Sequence, residues 1–299
     1  MNKRKGRYYL GRVVKGGYLD QEKLLAAIED PVVIERGQYR WTMVGIEEGD
    51  VNGSPFVFGN LAKYQDTGAV QVVKESERRQ RELSVQGLLV AKSPFVYFRA
   101  FSGIAYLHVW NAIEELAFRR RFSKIVREKY NDFFVDCAIE AISDIRSFVS
   151  KVSGLETILE IKAQVHPPNP LFGICWKHLN EYIAQRRADT VSVREESSSE
   201  KGGLQSEIQE LIRRILAKQT KLEIQPSLTD AALLMATDGY GKGQIIGVDE
   251  AKTQVVIRTS DTQKSFLFSK EPEVQPFAER AYEMFQGVSE ERKMMHAKH

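Results

Sequence analysis

Apolar residues in the first hundred positions occur in short runs whose composition is typical of β-strands. β-branched and aromatic residues are concentrated in six segments, at 7–15, 38–47, 55–64, 70–74, 83–91 and 94–98. Residues that favour turns separate these runs, at 16–17, 49–50, 52–53 and 66–68. One helix interrupts the series at 22–29, where Asp20 can cap the first turn. Crowded strands with a single helix predict a curved antiparallel sheet or half-barrel.

From residue 110 onward, helical and strand periodicities alternate along the chain. The pattern predicts helices at 110–130, 139–152, 172–183 and 204–215 and strands at 132–137, 155–165 and 190–194. In the segment 155–165 every second residue is apolar or small, from Leu155 to Val165, which is typical of a strand buried on one face. This part of the chain therefore predicts helices packed on one face of a small mixed sheet.

The last third of the chain predicts a further helix, a β-meander and a terminal helix. The helices are expected at 229–236 and 277–285, and the three strands at 244–248, 254–259 and 264–268. A segment rich in serine and glycine, 195–203, is expected to be a flexible loop. We predict an α+β protein with a strand-rich N-terminal domain (1–108) and an α+β domain (109–299) that ends in the meander.

The overall composition narrows the class of protein. Of the 299 residues, 42% are hydrophobic and 28% charged, which is typical of a folded globular chain. The most apolar stretch, 83–101, is interrupted by Lys92 and Arg99 and is too polar to cross a bilayer. Cys137 and Cys175 are far apart and lie in apolar surroundings, so neither a disulfide framework nor a zinc site is indicated. We expect a cytoplasmic protein that does not enter membranes and uses no metal or other cofactor.

The positive charge of the chain is small, and its distribution carries more information than its total. The net charge is +3, which is too small to indicate nucleic-acid binding by itself. In the helix predicted over 110–130, however, Arg120, Lys124 and Arg127 fall on one side and form a first basic stripe. The residues expected on the apolar side are Phe118, Phe122, Ile125 and Val126.

The helix at 204–215 repeats this arrangement. A second basic stripe follows its polar side (Arg214, Lys218 and Lys221), opposite the apolar residues Leu204, Ile208, Leu211, Ile212 and Ile215. The glycine-rich segment 238–243 contains Lys242 but lacks the spacing of a P-loop. Such stripes can follow a phosphate backbone, or they can simply solvate the outer face of a helix. The candidate nucleic-acid-binding residues are Arg119, Arg120, Arg121, Lys124, Arg127, Arg214, Lys218, Lys221 and Lys242.

An acidic-x-lysine triplet favours a different chemistry. Glu160 and Lys162 lie on the strand predicted over 155–165, and Asp136 lies on an earlier strand. Restriction-type nucleases place these residue types on neighbouring strands, where they hold Mg²⁺ and orient the attacking water. The alternation of the segment explains Glu160 and Lys162 equally well as the polar face of an ordinary strand.

The order of these elements resembles the family of the phage-exclusion protein RexA of lambdoid prophages. The resemblance rests on Ser93-Pro94-Phe95 before a long helix, on Glu160-Ile161-Lys162-Ala163, on the corner Pro168-Asn169-Pro170, and on the glycine-containing loop that opens the C-terminal part. It implies a two-domain, dimeric protein that binds duplex DNA with little sequence preference. It also implies a part in defence against phage, without catalysis.

We therefore expect a non-catalytic, sequence-independent nucleic-acid-binding component of an anti-phage defence or phage-exclusion system. Its expected partners are duplex DNA, a second copy of the chain in a homodimer, and an effector protein encoded nearby. Two alternatives stay open from the sequence. One is a Mg²⁺-dependent nuclease that uses Asp136, Glu160 and Lys162, and the other is an adaptor whose basic residues pair with an acidic protein surface.

Overall fold

Two antiparallel sheets form the framework of the protein. The computed structural model describes residues 4–74, 79–131, 134–167, 177–217 and 226–293. The strands are β1 (Lys5–Gly17), β2 (Ile34–Arg36), β3 (Tyr39–Val51), β4 (Ser54–Lys74), β5 (Arg79–Phe98), β6 (Gly103–Leu107), β7 (Val135–Ala141), β8 (Leu155–Val165), β9 (Val191–Glu196), β10 (Gly241–Asp249), β11 (Gln254–Arg258) and β12 (Ser265–Ser269). The helices are α1 (Gln21–Glu29), α2 (Glu115–Glu128), α3 (Ile145–Ser153), α4 (Lys177–Arg186), α5 (Ile208–Leu216), α6 (Leu228–Thr237) and α7 (Val274–Lys293).

The large sheet is covered by helices on both faces. Its strands follow the order β12-β1-β6-β5-β4-β3-β2, with β7 also paired to β1. On one face α1 and α2 pack on the sheet, and Phe118 of α2 stacks on Tyr106 of β6 with ring centroids 4.3 Å apart. On the other face α7 places Phe277 and Phe285 among aromatic residues of the sheet. Burial of these aromatic side chains stabilises this half of the molecule.

The small sheet is covered on one face only. Its strands follow the order β11-β10-β8-β9, and all of its pairings are antiparallel. Apolar residues of α3, α4, α5 and α6 pack against the inner face of this sheet. Helix α6 is buried along almost its whole length, which agrees with its run of apolar residues. The other face, called the open face below, carries polar side chains.

A buried arginine joins the two sheets. Arg12 of β1 donates hydrogen bonds from Nε to the carbonyl oxygen of Asp238 (2.6 Å) and from Nη1 to that of Phe101 (2.6 Å). Its guanidinium also lies 4.8 Å from the ring centroid of Tyr240. Because Asp238 and Tyr240 immediately precede β10, Arg12 positions the small sheet against the large one.

The predicted α+β class and the N-terminal half-barrel are confirmed. Within the C-terminal half, the predicted meander is wrong in one strand: β10 and β11 pair with each other, but β12 pairs with β1 of the large sheet. The reason is apolar pairing, since Phe266 and Phe268 of β12 lie against Tyr8 of β1. The small sheet is also fully antiparallel, where a mixed sheet was expected.

Two further local predictions are corrected. Residues 66–68 are not a turn, because β4 and β5 continue through them as one long hairpin, with Leu88 packed directly over Gly68. Residues 139–152 are not one helix. Ile139 lies in β7, where Val135, Cys137 and Ile139 are buried at every second position, and α3 begins only after the capping residue Asp144.

Segments beyond residue 108 contribute to both sheets, because β7 and β12 pair with β1 of the large sheet. The division into two domains at that residue stays a prediction. In the loop predicted over 195–203, β9 continues to Glu196, and the Ser197 backbone N–H donates to the Leu159 carbonyl (2.8 Å). Among the described residues, no helix is both long and apolar enough to span a bilayer.

Candidate nucleic-acid interface

The open face of the small sheet carries a row of cationic and amide side chains. The strand registers place Gln244 opposite both Arg258 and Lys162, and Lys162 opposite Arg194. Directly opposed residues project from the same face of a sheet. With neighbouring strands about 4.8 Å apart, this row spans roughly 14 Å from β11 to β9.

A cavity of about 530 Å³ lies over this row, called the cleft below. Residues of the large-sheet half, Arg119 of α2 and Glu140 of β7, form part of its wall. The charged residues that line the cleft are Arg119, Lys162, Arg194, Lys242, Arg258, Glu140 and Glu160. Five cations thus face two carboxylates, so the cleft has an excess of positive charge.

A β-bulge in β8 determines which residues face the cleft. The register of β8 against β10 shifts between Ile246 and Gly247, so that Ile158 is buried while Thr157 and Leu159 are only half-buried. The expectation that Thr157 and Leu159 share the buried face of Ile161 is therefore wrong. Beyond the bulge, Glu160 and Lys162 lie on the open face, because alternation resumes from that point.

The glycine-rich segment 238–243 positions Lys242 through close backbone packing. Gly241 lies so near β8 that a Cβ added to it would be 2.0 Å from the carbonyl oxygen of Gln164. Gly243 faces α6, where a Cβ would be 2.6 Å from Leu233 Cδ1. Between these two glycines, Lys242 extends from the open face into solvent. From Gly241 onward the segment is the start of a paired strand, and Lys242 lines the cleft.

Ion pairs divide the cations of the cleft into two groups. Arg194 Nη2 lies 2.7 Å from Glu160 Oε2 and 2.6 Å from Glu196 Oε2. Arg119 pairs with Glu115 at 2.8 Å, and Lys242 Nζ lies 3.5 Å from Glu140 Oε1. Within the part of the chain that the structure describes, Lys162 and Arg258 have no ion-pair partner. Their charges are therefore available to an anionic ligand.

Glu140 is the buried acid of the cleft. Burial raises the pKa of its carboxyl, and the nearby cations Lys242 and Arg119 oppose that rise. A carboxyl whose pKa is raised in the folded state stabilises the fold most below its unfolded pKa. That contribution is lost as the pH rises through the folded-state pKa.

We therefore expect Glu140→Gln to increase the free energy of unfolding, relative to the wild type, more near pH 7 than near pH 4. Urea denaturation at the two pH values measures the difference. Glu250→Gln, which changes an exposed carboxylate beyond the end of β10, is the control variant. Equal effects of Glu140→Gln at both pH values would contradict the expected cost of burying the charged form.

The first basic stripe is only partly free of acids. As predicted, Phe118, Phe122, Ile125 and Val126 are buried against the large sheet. On the opposite side, Arg120 is exposed, whereas Lys124 lies 3.4 Å from Glu128 and Arg127 lies 3.7 Å from Asp136. The neighbouring arginines flank the stripe, since Arg119 lines the cleft and the Arg121 guanidinium lies 5.6 Å from the Trp41 ring.

The second basic stripe contributes less to a common surface. Arg214 donates from Nε to Glu210 Oε1 at 2.7 Å, so its charge is partly neutralised within α5. Lys218 and Lys221 lie outside the described residues. Of the sequence candidates, the cleft therefore unites Arg119 and Lys242 with Lys162 and Glu160 of the nuclease hypothesis.

The nuclease triad is not assembled as the sequence suggested. Asp136 lies beside Gly17, Tyr18 and Phe134, at a different cavity from Glu160 and Lys162. Glu140, four residues further along β7, is the acid that shares the cleft with them. Across residues 4–74, 79–131, 134–167, 177–217 and 226–293, no three His, Cys, Asp or Glu side chains are grouped so that they could hold a metal ion.

Sequence reasoning missed three residues of the cleft, Glu140, Arg194 and Arg258. Arg194 and Arg258 lie at the ends of segments that were predicted as strands, and each is a cation at an exposed position. Their alternation with Val193 and Ile257 was the available signal. No family model matches the chain, and neither does any curated protein sequence.

Proposed function

We propose that this chain binds nucleic acid through its phosphates, without reading base sequence, as a non-catalytic component of an anti-phage defence or phage-exclusion system. The observation that carries the proposal is the position of Lys162 and Arg258. Both lie in one cross-strand row on the open face, above a cleft with excess positive charge. Lysine and arginine contacts to phosphate supply most of the affinity of sequence-independent binding.

The shape of the surface supports the same proposal. The cations belong to a sheet face, and sheets hold side chains at fixed spacing. Within the described residues, the cleft has neither a group of acids suited to Mg²⁺ nor a phosphate-cradling glycine loop. An array of separate cations suits a ligand with repeated charges, such as a phosphodiester backbone, better than a single small anion.

The preference for duplex DNA, the homodimer and the nearby effector are part of the proposal and rest on the resemblance to the RexA family. A dimer would have a physical advantage. Two weak basic surfaces that are joined bind one long ligand much more tightly than either alone, because the second contact becomes intramolecular. The role in defence itself is tested by expressing the chain in bacteria and measuring plaque formation.

Gel-shift titration with duplex DNA, single-stranded DNA and RNA over a range of salt concentrations tests the binding. If each copy contacts about four phosphates, log K should fall with log salt at a slope of roughly −3.5. The double variant Lys162→Glu, Arg258→Glu should abolish binding, because it replaces two cations that have no ion-pair partner among the described residues with anions. Lys5→Glu, Arg280→Glu makes the same double reversal at exposed positions of β1 and α7 outside the cleft, and is the matched control.

Binding by the cleft variant with wild-type affinity would reject the open face as the interface. The same mixtures incubated with Mg²⁺ test the nuclease alternative. We expect no cleavage. Mg²⁺-dependent nicking that is lost in Glu160→Gln, Lys162→Ala would overturn the non-catalytic assignment.

A further inference from the structure

A second group of cations lies outside the cleft, where α2 meets the β2 edge of the large sheet. Arg121 is half-buried, and its guanidinium lies 5.6 Å from the centroid of the Trp41 ring. Arg36 ends the edge strand β2, and Arg120 is the exposed neighbour of Arg121 in α2. These three residues are called the arginine cluster below. Lys63 of β4 also lies near, 5.6 Å from the Trp41 ring.

The arginine cluster brings positive charges close to one another. Burial lowers the pKa of Arg121, and the neighbouring charges of Arg36 and Arg120 lower it further. Among the ion pairs formed by described residues, none includes Arg36, Arg120 or Arg121. Like charges held together without a counter-charge repel one another, so this arrangement favours an anion.

The same place has more hydrogen-bond donors than acceptors. Trp41 is only 4% exposed, and its indole Nε1–H has no acceptor among the described residues. The Nε–H of Arg121 is also buried and lacks an acceptor within that part of the chain. Buried donors are nearly always paired in folded proteins. These two donors, which lack an acceptor among the described residues, lie close to the charges of Arg36 and Arg120 and indicate that an acceptor belongs here.

We infer that the arginine cluster, with Trp41 beneath it, is a phosphate-binding site separate from the cleft. Guanidinium groups present several N–H donors in a planar fork that matches phosphate oxygens. The cation–π contact between Arg121 and Trp41 holds one of these forks in place before the ligand arrives. The inference rests on these residues alone and not on the proposed function. The phosphate can belong to nucleic acid or to a free phosphate ion.

The Trp41 indole N–H offers a direct readout in the full-length, ¹⁵N-labelled protein. Its resonance is identified by its loss in Trp41→Phe, and it is followed during titration with inorganic phosphate. Sodium chloride at matched ionic strength is the reference. We expect a saturable shift of the Trp41 resonance with phosphate only, and none at the exposed indole of Trp110.

Single substitutions in α2 test the arginine cluster, and a matched substitution of a paired cation is the control. Arg121→Gln and Arg120→Gln should each weaken phosphate binding by roughly tenfold, because each removes a charge-assisted contact. Arg120 is exposed, so its substitution leaves the core intact. Arg280→Gln removes an exposed arginine of α7 that is already paired with Glu283, and should leave binding unchanged.

A short duplex in place of inorganic phosphate distinguishes the two sources. A shift by both ligands supports a site that nucleic-acid phosphates use, and a shift by inorganic phosphate alone supports a site for the free ion. The inference is overturned if phosphate and chloride shift the resonance equally, or if Arg120→Gln and Arg121→Gln both bind phosphate like the wild type. Neither result depends on whether the cleft binds DNA.

Discussion

Phe118→Ala should lower the free energy of unfolding by about 3–5 kcal/mol, because it removes a fully buried ring and leaves a cavity. The Phe118 ring is completely inaccessible to solvent. It stacks on Tyr106 with centroids 4.3 Å apart and planes 7° apart, and it contacts Phe95 edge-to-face at 6.0 Å. The lost free energy has two parts: the favourable transfer of the ring from water into the core, and the contacts of the ring with Tyr106 and Phe95.

Urea denaturation followed by circular dichroism measures the change. Leu116→Ala is the control in the same helix, since Leu116 is 45% exposed and its truncation should cost less than about 1 kcal/mol. A difference of less than 1 kcal/mol between the two variants would show that α2 is not anchored through Phe118. The anchor matters for function, because α2 carries Arg119 to the cleft and Arg120 and Arg121 to the arginine cluster.

Gly241→Ala should destabilise the protein by about 2–4 kcal/mol, through overpacking between two strands and loss of their hydrogen bonds. A Cβ at this position would lie 2.0 Å from the Gln164 carbonyl oxygen and 2.8 Å from Val165 Cα. Both are backbone atoms, so no side-chain movement can relieve the contact. β8 and β10 must separate at this end, which displaces Lys242 from its place opposite Gln164.

Gly287→Ala is the matched control for this substitution. Gly287 lies in α7, and outside its own helix backbone no atom of the described residues lies within 4 Å of an added Cβ, so alanine should stabilise the helix by about 0.5–1 kcal/mol. Thermal unfolding measures both variants, and gel shift measures the effect on the cleft. A Gly241→Ala protein as stable as the wild type would show that the two strands are not packed this closely.

The local elements of this fold follow largely from the sequence. Asp20 caps α1 by accepting a hydrogen bond from the Lys23 backbone N–H (2.7 Å), as the sequence predicts. The apolar face of α2 and the strand character of β8 are likewise visible in residue spacing. These features depend on interactions between residues that are close in the chain, so their signal lies in short windows of sequence.

The strand pairing and the composition of the cleft depend instead on contacts between segments that are distant in the sequence. Nothing near Phe266 in the sequence distinguishes pairing with β11 from pairing with β1, and the choice depends on Tyr8, more than 250 residues away. The bulge in β8 and the row that joins Lys162 to Arg258 are consequences of strand register. Register is selected by the summed burial of whole strands. For that reason the sequence identified several cations, while only the tertiary structure determined which of them share a surface.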